Sequence, residues 1–424
     1  MQDRGSLRIA VVGGGISGIS AAYLLQRRHK VVLFEKNDYV GGHTRTVRVH
    51  SWPDKDLPVD TGFIVLNDRT YPNFMRFLRQ LGVAVAPTDM GFSYYDRRTG
   101  FQYAGSNLNG LFAQRANLLK PDFWAFIFEL ARFGPVSKRS LSDGSLRGAS
   151  LGDYLKAKGF SDALIHRYIL PMGAAIWSTP NARMMEFPAE SFLRFCDNHG
   201  LLDLRRRPQW YFIPGGSQTY VERFLESFQG ETRVGCGVRS LRRREGGVTL
   251  RLPDGIEEEF DSVVVATHAD EALALLEDPH PEEARLLSQW KYNQNRVVLH
   301  TDSSFLPPLL NARSSWNYVR EPFGGDASPV TLTYSMNRLQ RLSTAKDYCV
   351  TLNAARPIAQ ESVIRTMDYT HPQYSFGAVE SQEPLRRRNG FCRTFFCGAY
   401  LGYGFHEDGF RSGMEAAAHF GVAL

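Results

Sequence analysis

The sequence predicts an α/β fold: a Rossmann-like nucleotide-binding domain assembled from three separated segments, joined to an α+β second domain. Three observations carry this. The apolar run Arg8-Ile-Ala-Val-Val12 leads through Gly13-Gly-Gly-Ile-Ser-Gly18 into a helical pattern and a second apolar run, Lys30-Val-Val-Leu-Phe34, which is a compact β-α-β unit. Buried-strand character returns at residues 262–266, far along the chain. Residues 394–397 then lead into another glycine-rich loop and a closing helix from about Phe410. At 424 residues the chain is too long for one simple core, so two domains are expected.

Between these segments the pattern changes. Thr70 is placed to cap a helix with Pro72 in its first turn and Phe74, Phe77, Leu78 and Leu81 on one face, ended by Gly82. Residues 92–96 and 101–103, split by Arg-Arg-Thr-Gly, read as a hairpin. From Pro121 to about Trp210 the chain is mostly helical and rich in aromatics, as in Phe123-Trp-Ala-Phe-Ile-Phe128. After Pro214-Gly-Gly216 come a helix through Phe228, the strand Val248-Thr-Leu-Arg-Leu252 and a Pro-Asp-Gly turn. Strands and turns alternate over 280–387. Residues 1–66, 213–279 and 388–424 are thereby assigned to the nucleotide-binding domain, and 67–212 and 280–387 to the substrate domain.

Composition is globular, with 43% hydrophobic and 22% charged residues. Fifty basic residues against 44 acidic leave +6, which gives nucleic acid little support as a partner. Cys196, Cys236, Cys349, Cys392 and Cys397 are odd in number and lack metal-ligand spacing, so neither a disulfide framework nor a metal site is expected, and the thiols read as reduced in the cytoplasm. The start of the chain lacks a signal-peptide pattern, and no apolar run approaches the ~18–20 residues that span a bilayer. The expectation is a cytoplasmic protein, soluble or peripheral at the inner membrane.

Gly13, Gly15 and Gly18 fit a dinucleotide fingerprint: the first for a tight turn, the second for approach of a pyrophosphate, the third for helix-on-strand packing. The helix opening at Ile16 and Ser17 turns free N–H groups toward phosphate. Glu35, 22 residues after Gly13 and followed by Lys36, ends the second strand where a carboxylate can accept from a ribose.

The fingerprint does not separate NAD from FAD, and the residues beyond it do. Val40-Gly41-Gly42-His43-Thr44-Arg45-Thr46, Asp60-Thr61-Gly62-Phe63 and the terminal Phe396-Cys-Gly398 with Asp408-Gly-Phe-Arg-Ser-Gly413 resemble the flavin amine oxidase superfamily, which includes amine oxidases, protoporphyrinogen oxidase and carotenoid desaturases. Pro171-Met-Gly-Ala-Ala-Ile-Trp177, Val298-Leu-His-Thr-Asp302 and Gly402-Tyr-Gly-Phe-His-Glu-Asp-Gly409 most resemble a bacterial group of NAD/FAD-binding proteins often encoded beside cyclopropane fatty-acid synthases. The resemblance implies that Gly42, His43 and Thr44 lie along the pyrophosphate and ribityl chain, that Gly62, Phe63 and Ile64 border the isoalloxazine, and that Val238 offers its backbone to adenine. It further implies that Ala266 supports the adenosine, that Gly398 contacts phosphate or ribityl, and that Gly409, Phe410 and Arg411 present backbone N–H groups to the flavin. A helix N-terminus there would stabilise charge on the reduced ring.

Departures from the superfamily bear on the chemistry. Arginine usually follows the second Gly-Gly, and here it is His43. Phe410 aligns with one of the aromatic pair that guides amines, and a loose alignment sets Arg296 where a lysine usually approaches flavin N5. With no cysteine at known attachment positions, FAD is expected to be non-covalent. A second nucleotide fingerprint is absent, so electrons are expected from substrate and pass to oxygen, a quinone or a carrier. His406, Glu407 and Tyr403 are the acid–base candidates, since the loop before a flavin-facing helix passes the ring edge. The bland alternatives are that Glu407 or Asp408 caps that helix and that His406 and Tyr403 are packing residues. His300 beside Asp302 reads more readily as a structural histidine. The arginine triplets at 205–207, 242–244 and 386–388 read as solvated loops, with a lipid-facing basic surface as the alternative. The expected function is hydride removal from a hydrophobic substrate, with a lipid acyl chain favoured. The alternatives are amine oxidation yielding aldehyde or imine and hydrogen peroxide, and a lipid-associated partner whose nucleotide is structural.

Overall fold

The computed structural model describes residues 5–203, 207–322 and 331–424. Strands β1 (Arg8–Val12), β2 (Lys30–Phe34), β3 (Glu231–Arg233), β4 (Ser262–Val265) and β5 (Thr394–Phe396) form a parallel sheet in the order β3-β2-β1-β4-β5. Both faces of such a sheet are covered, which is why β1 and β4 read as unbroken apolar runs: Ile9, Ala10, Val11, Val263, Val264 and Val265 are fully buried. The fold is therefore a Rossmann-like sheet drawn from three separated stretches of sequence. β3 was not anticipated, because Glu231-Thr-Arg233 is too short and polar to show a strand pattern.

The helices that position the site are α1 (Ile16–Leu25), α2 (Pro72–Gln80), α3 (Leu108–Leu111), α4 (Pro121–Ser142), α5 (Leu170–Trp177), α6 (Phe376–Arg388) and α7 (His406–Ala418). α7 lies against α1 at the distance of bare backbone. A Cβ on Gly413 would stand 2.0 Å from Ser20 Oγ and 2.2 Å from the Ser17 carbonyl, so glycine is required there. A second, seven-stranded sheet takes Phe92–Asp96 and Gln102–Ala104 together with five strands between 291 and 373. Its pairings are antiparallel except that of Trp316–Arg320 with Phe92–Asp96.

Several expectations change. α2 forms, yet Thr70 does not cap it: the N-cap is Tyr71, and the Thr70 hydroxyl bonds Asn67 and His199 instead. α7 starts at His406, four residues before the expected Phe410, because Asp408 in its first turn accepts from the backbone N–H groups of Tyr403 and Phe405 and closes the start. α6 appears where turns were expected.

Two of the three arginine triplets, 242–244 and 386–388, are not solvated loops. Arg242, Arg243 and Arg244 lie on a strand and pair with Glu257, Glu283 and Glu259. Arg386, Arg387 and Arg388 end α6 and pair with Glu415, Glu383 and Glu282. Arg205 and Arg206 lie outside the described residues. With their charges answered by carboxylates, the described triplets form no free basic face. Among the described residues no helix is long and apolar enough to cross a membrane.

Candidate functional site

A cavity of about 1210 Å³ runs from the carboxyl ends of β1, β2 and β4 to the second sheet and the helical segment. That volume exceeds the ~300–1,000 Å³ of an ordinary small-molecule pocket, leaving room for a cofactor and a substrate end to end. The sheet order reverses between β1 and β4, and the crevice at such a switch point is where open α/β sheets bind ligands. Gly13, Gly15, Ile16, Ser17, Glu35, Lys36, Gly42, His43, Gly62, Phe63, Ile64, Val238, Ala266, Gly398, Tyr403 and His406 all line it.

The glycine loop shows why each position is glycine. Gly13 has φ +109°, and a Cβ there would meet the Ala266 carbonyl at 2.7 Å. Gly18 is forced by α1 packing, its Cβ position lying 1.8 Å from Gly13 O. Gly15 is the contrast: its conformation is ordinary extended backbone, and a Cβ would meet nothing within 4 Å. Its side opens on the cavity, as approach of a pyrophosphate requires. Glu35 is buried and braces this loop, accepting from Gly14 N at 2.8 Å through Oε2 and from Asn37 N and Nδ2, both at 2.8 Å, through Oε1. A carboxylate has about four acceptor sites, so capacity remains for a ribose hydroxyl.

At the other end of this cofactor half, four histidines from separate parts of the chain line one wall: His43, His268, His371 and His406. His43 stacks on His371 with centroids 5.6 Å apart and lies 6.1 Å from His268. Its Nε2 bonds the Thr370 carbonyl at 3.1 Å, so Nε2 carries the proton. The Asn295 amide is oriented by donating to Asn293 O and accepting from Asn353, and it donates to His371 Nδ1 at 3.3 Å. Nδ1 also lies 2.9 Å from Ser178 Oγ, a hydroxyl free to donate to it, and because the Asn295 amide N–H can only donate, Nδ1 is the acceptor and Nε2 carries the proton. Burial, with the neighbouring imidazoles, holds His43 well below its usual range, and burial pushes His371 to about 4. The position usually cationic in the superfamily is thus a neutral imidazole.

His406 stacks flat on Phe63 at 3.7 Å and bonds Tyr220 OH at 2.8 Å and Thr44 Oγ1 at 3.2 Å; burial lowers it to about 3. Tyr403 lines the cavity, its hydroxyl raised by burial, and its carbonyl accepts from Trp177 Nε1 at 3.1 Å.

Other sequence candidates lie elsewhere. Thr44 is buried behind the wall, holding Tyr220 and His406. Glu407 is spent on the N-terminus of α2, accepting from Phe74 N at 2.9 Å and from Asn73 Nδ2 and N at 2.7 and 3.2 Å. Phe410 is fully buried against Phe74 and Phe77, so its side chain is no part of an aromatic cage. Gly409 packs against Ile16, donating its N–H to Phe405 O, and Arg411 pairs with Asp408 away from the cavity. Because α7 starts early, its free N–H groups belong to residues 406–408 rather than 409–411. Arg296 is exposed on its strand and does not line the cavity. His300 is buried, bonded to Thr351 and to the Asp302 backbone, which makes it structural. His268, Tyr369 and His371 were missed; nothing in their local sequence marks them, since strand register and a distant turn bring them together.

The residues present fit a flavin dinucleotide: glycines open where a pyrophosphate passes, a carboxylate with spare acceptor capacity sits at the end of β2, and donors with a helix start lie at the far end. Residues 16–419 match the family of flavin-containing amine oxidoreductases. AofH of Mycobacterium tuberculosis, named as a flavin-containing monoamine oxidase, is 26% identical over 302 residues, 66% of this chain and 62% of its own length. The 15-cis-phytoene desaturase of Capsicum annuum is 26% identical over 347 residues, 74% of this chain and 56% of its own. The chain thus spans less than two-thirds of these relatives. Among solved structures, a putrescine oxidase variant superposes with a TM-score of 0.71 at 15% identity over 98% of this chain and 99% of that one. A fatty acid isomerase from P. acnes that produces CLA superposes with a TM-score of 0.66 at 16% identity over 98% of both chains. At those identities the structural likeness speaks for the fold, whereas the family match runs nearly end to end, and it follows that the chain belongs to the flavin-containing amine oxidoreductase family.

Proposed function

We propose that this protein is an FAD-dependent oxidoreductase, its cofactor held non-covalently, that removes a hydride from a hydrophobic substrate, a lipid acyl chain being the class its cavity fits best. The observation that carries the reading is the far half of the cavity, walled by Phe92, Leu111, Leu130, Phe133, Met172 and Ile176. An alkyl chain offers nothing to hydrogen-bond, so its affinity must come from apolar contact at ~25 cal/mol per Å² buried, and such a wall supplies it. The names of two similar proteins, a desaturase and a fatty acid isomerase, agree with this choice.

Bound FAD would supply the two-electron acceptor. Gly15 and Gly42 would leave space for its pyrophosphate, Glu35 would accept from its ribose, and the His371 Nε2–H and the first N–H groups of α7 would serve as neutral donors toward its ring end. His406 is held neutral and flat against Phe63, where it shapes the pocket, while Tyr403 stands at the junction with the apolar half. That half excludes water from the reacting carbon. Oxygen or a quinone would take the electrons onward, and the lipid reading carries with it peripheral contact with a membrane.

Anaerobic mixing of the yellow protein with dispersed lipid and, separately, with amines tests the proposal. Bleaching by lipid supports it. Bleaching by amines, with aldehyde and hydrogen peroxide on admitting air, would make it an amine oxidase, and a flavin that stays oxidised with both would refute catalysis of either kind.

A further inference from the structure

We infer that the surface around α3 and the first half of α4 docks on an anionic phospholipid bilayer, so that the cavity opens directly into lipid. The inference deepens the hydrophobic-substrate reading, although docking itself needs no substrate. Leu108, Leu119, Phe128 and Leu310 are 73%, 89%, 70% and 69% exposed, with Trp124 half-exposed among them. Residues of this size are seldom left in water together unless something covers them.

They form one patch. The Trp124 ring contacts Phe112, just after α3, and its indole N–H donates to Leu118 O at 2.9 Å. α3 also packs on the turn Leu310–Ala312. Along α4, Trp124 and Phe128 lie one turn apart on the same face, and the next residue along that face, Ala131, is exposed and lines the cavity. Leu108 likewise is exposed and lines the cavity. The patch therefore borders an opening of the cavity.

Two features select a bilayer over a second copy of the chain. The exposed Arg115, bonded to Phe112 O and Asn109, and the exposed Lys120 at the start of α4 stand at the patch with Asp122 as an exposed acid beside them, a net basic pattern that anionic headgroups attract. A second copy seated on the patch would cover the adjoining opening, whereas a bilayer presents it with the hydrocarbon that the apolar wall accommodates. Tryptophan with its N–H satisfied suits the interface between headgroups and acyl chains.

The test is flotation of flavin-loaded protein with vesicles of phosphatidylcholine plus phosphatidylglycerol, and with phosphatidylcholine alone. Wild type should float with the anionic vesicles and much less with the neutral ones. The double variants Leu119→Glu with Phe128→Glu, and Arg115→Glu with Lys120→Glu, should each bind the anionic vesicles at least ~10-fold more weakly. All four side chains are on the surface, and unchanged flavin content and melting temperature would show that folding is intact; Leu119→Ser with Phe128→Ser gives a milder check. No flotation of wild type, equal flotation of the variants, or a wild-type dimer that the variants dissociate would each overturn the inference. Bleaching by detergent-dispersed lipid reads the substrate separately and should be unchanged in Leu119→Glu with Phe128→Glu. If that bleaching fails while flotation succeeds, the substrate reading falls and the docking surface stands.

Discussion

Acid should destabilise this protein below about pH 6.5, before its ordinary surface carboxylates titrate, and the buried histidines show why. His43, His199, His300, His371 and His406 are all lowered by burial, His199, His300 and His371 to about 4 and His406 to about 3. A base whose folded value is depressed contributes stability that is present above its unfolded value, near 6.5, and is lost as pH falls toward the folded value. At pH 5.5 the unfolded chain would hold about 4.5 protons on these five rings and the native chain almost none. Opposing this, Asp60, Glu407 and Asp408 are raised by burial, Asp60 to about 7, and raised carboxyls favour the folded state as pH falls. Those three can return at most three protons. The remainder, about 1.5 protons, corresponds to ~2 kcal/mol of stability lost per pH unit around pH 5.5. Against a total of ~5–15 kcal/mol this is a steep fall. Urea unfolding of the flavin-loaded protein followed by tryptophan fluorescence at pH 6.5 and 5.5 measures it, and the midpoint should be lower at pH 5.5. His300→Gln, remote from the cavity, should flatten the slope by roughly one proton, ~1.4 kcal/mol per pH unit. A midpoint equal or higher at pH 5.5 would refute the assignment of neutral buried rings.

The glycine loop predicts a separation of folding from cofactor binding. Gly15→Ala should fold with an unchanged melting temperature, its Cβ meeting nothing within 4 Å, yet emerge from gel filtration with much less flavin; Gly62→Ala, whose Cβ would lie 2.0 Å from His43 O, should lose stability and flavin together. Glu35→Ala should lower the flavin-to-protein absorbance ratio, because Gly14 N and Asn37 N lose their acceptor along with the ribose contact; unchanged occupancy would count against that contact. Glu407→Ala strands the donors at the start of α2 and should cost ~2–4 kcal/mol in urea unfolding, with flavin content nearly preserved. A large loss of flavin without a stability change would instead put Glu407 at the ring.

The parts legible in advance were those whose cause is local. A strand, three glycines at fixed spacing, a helix and an acid at the end of the next strand lie within 28 residues, and each is dictated by backbone geometry or by approach of a phosphate. Phe63 and Gly398 were found through such short strings and do line the cavity. Glu407 and Phe410 stood in an equally plain string and lie outside it, since in α7 Glu407 turns to the N-terminus of α2 and Phe410 into the core against Phe77, partners that only the packing of distant segments supplies.

What the sequence by itself determined is the nucleotide-binding half, because its turn geometry and strand burial are properties of short segments. Tertiary structure alone decided the histidine wall: His43 follows β2, His268 follows β4, His371 ends a strand of the second sheet and His406 opens α7, so their meeting depends on sheet register and packing over more than 360 residues of chain. It also decided the charge state of that wall, since an imidazole is neutral or cationic according to the burial that distant segments impose, and that burial has no local signature.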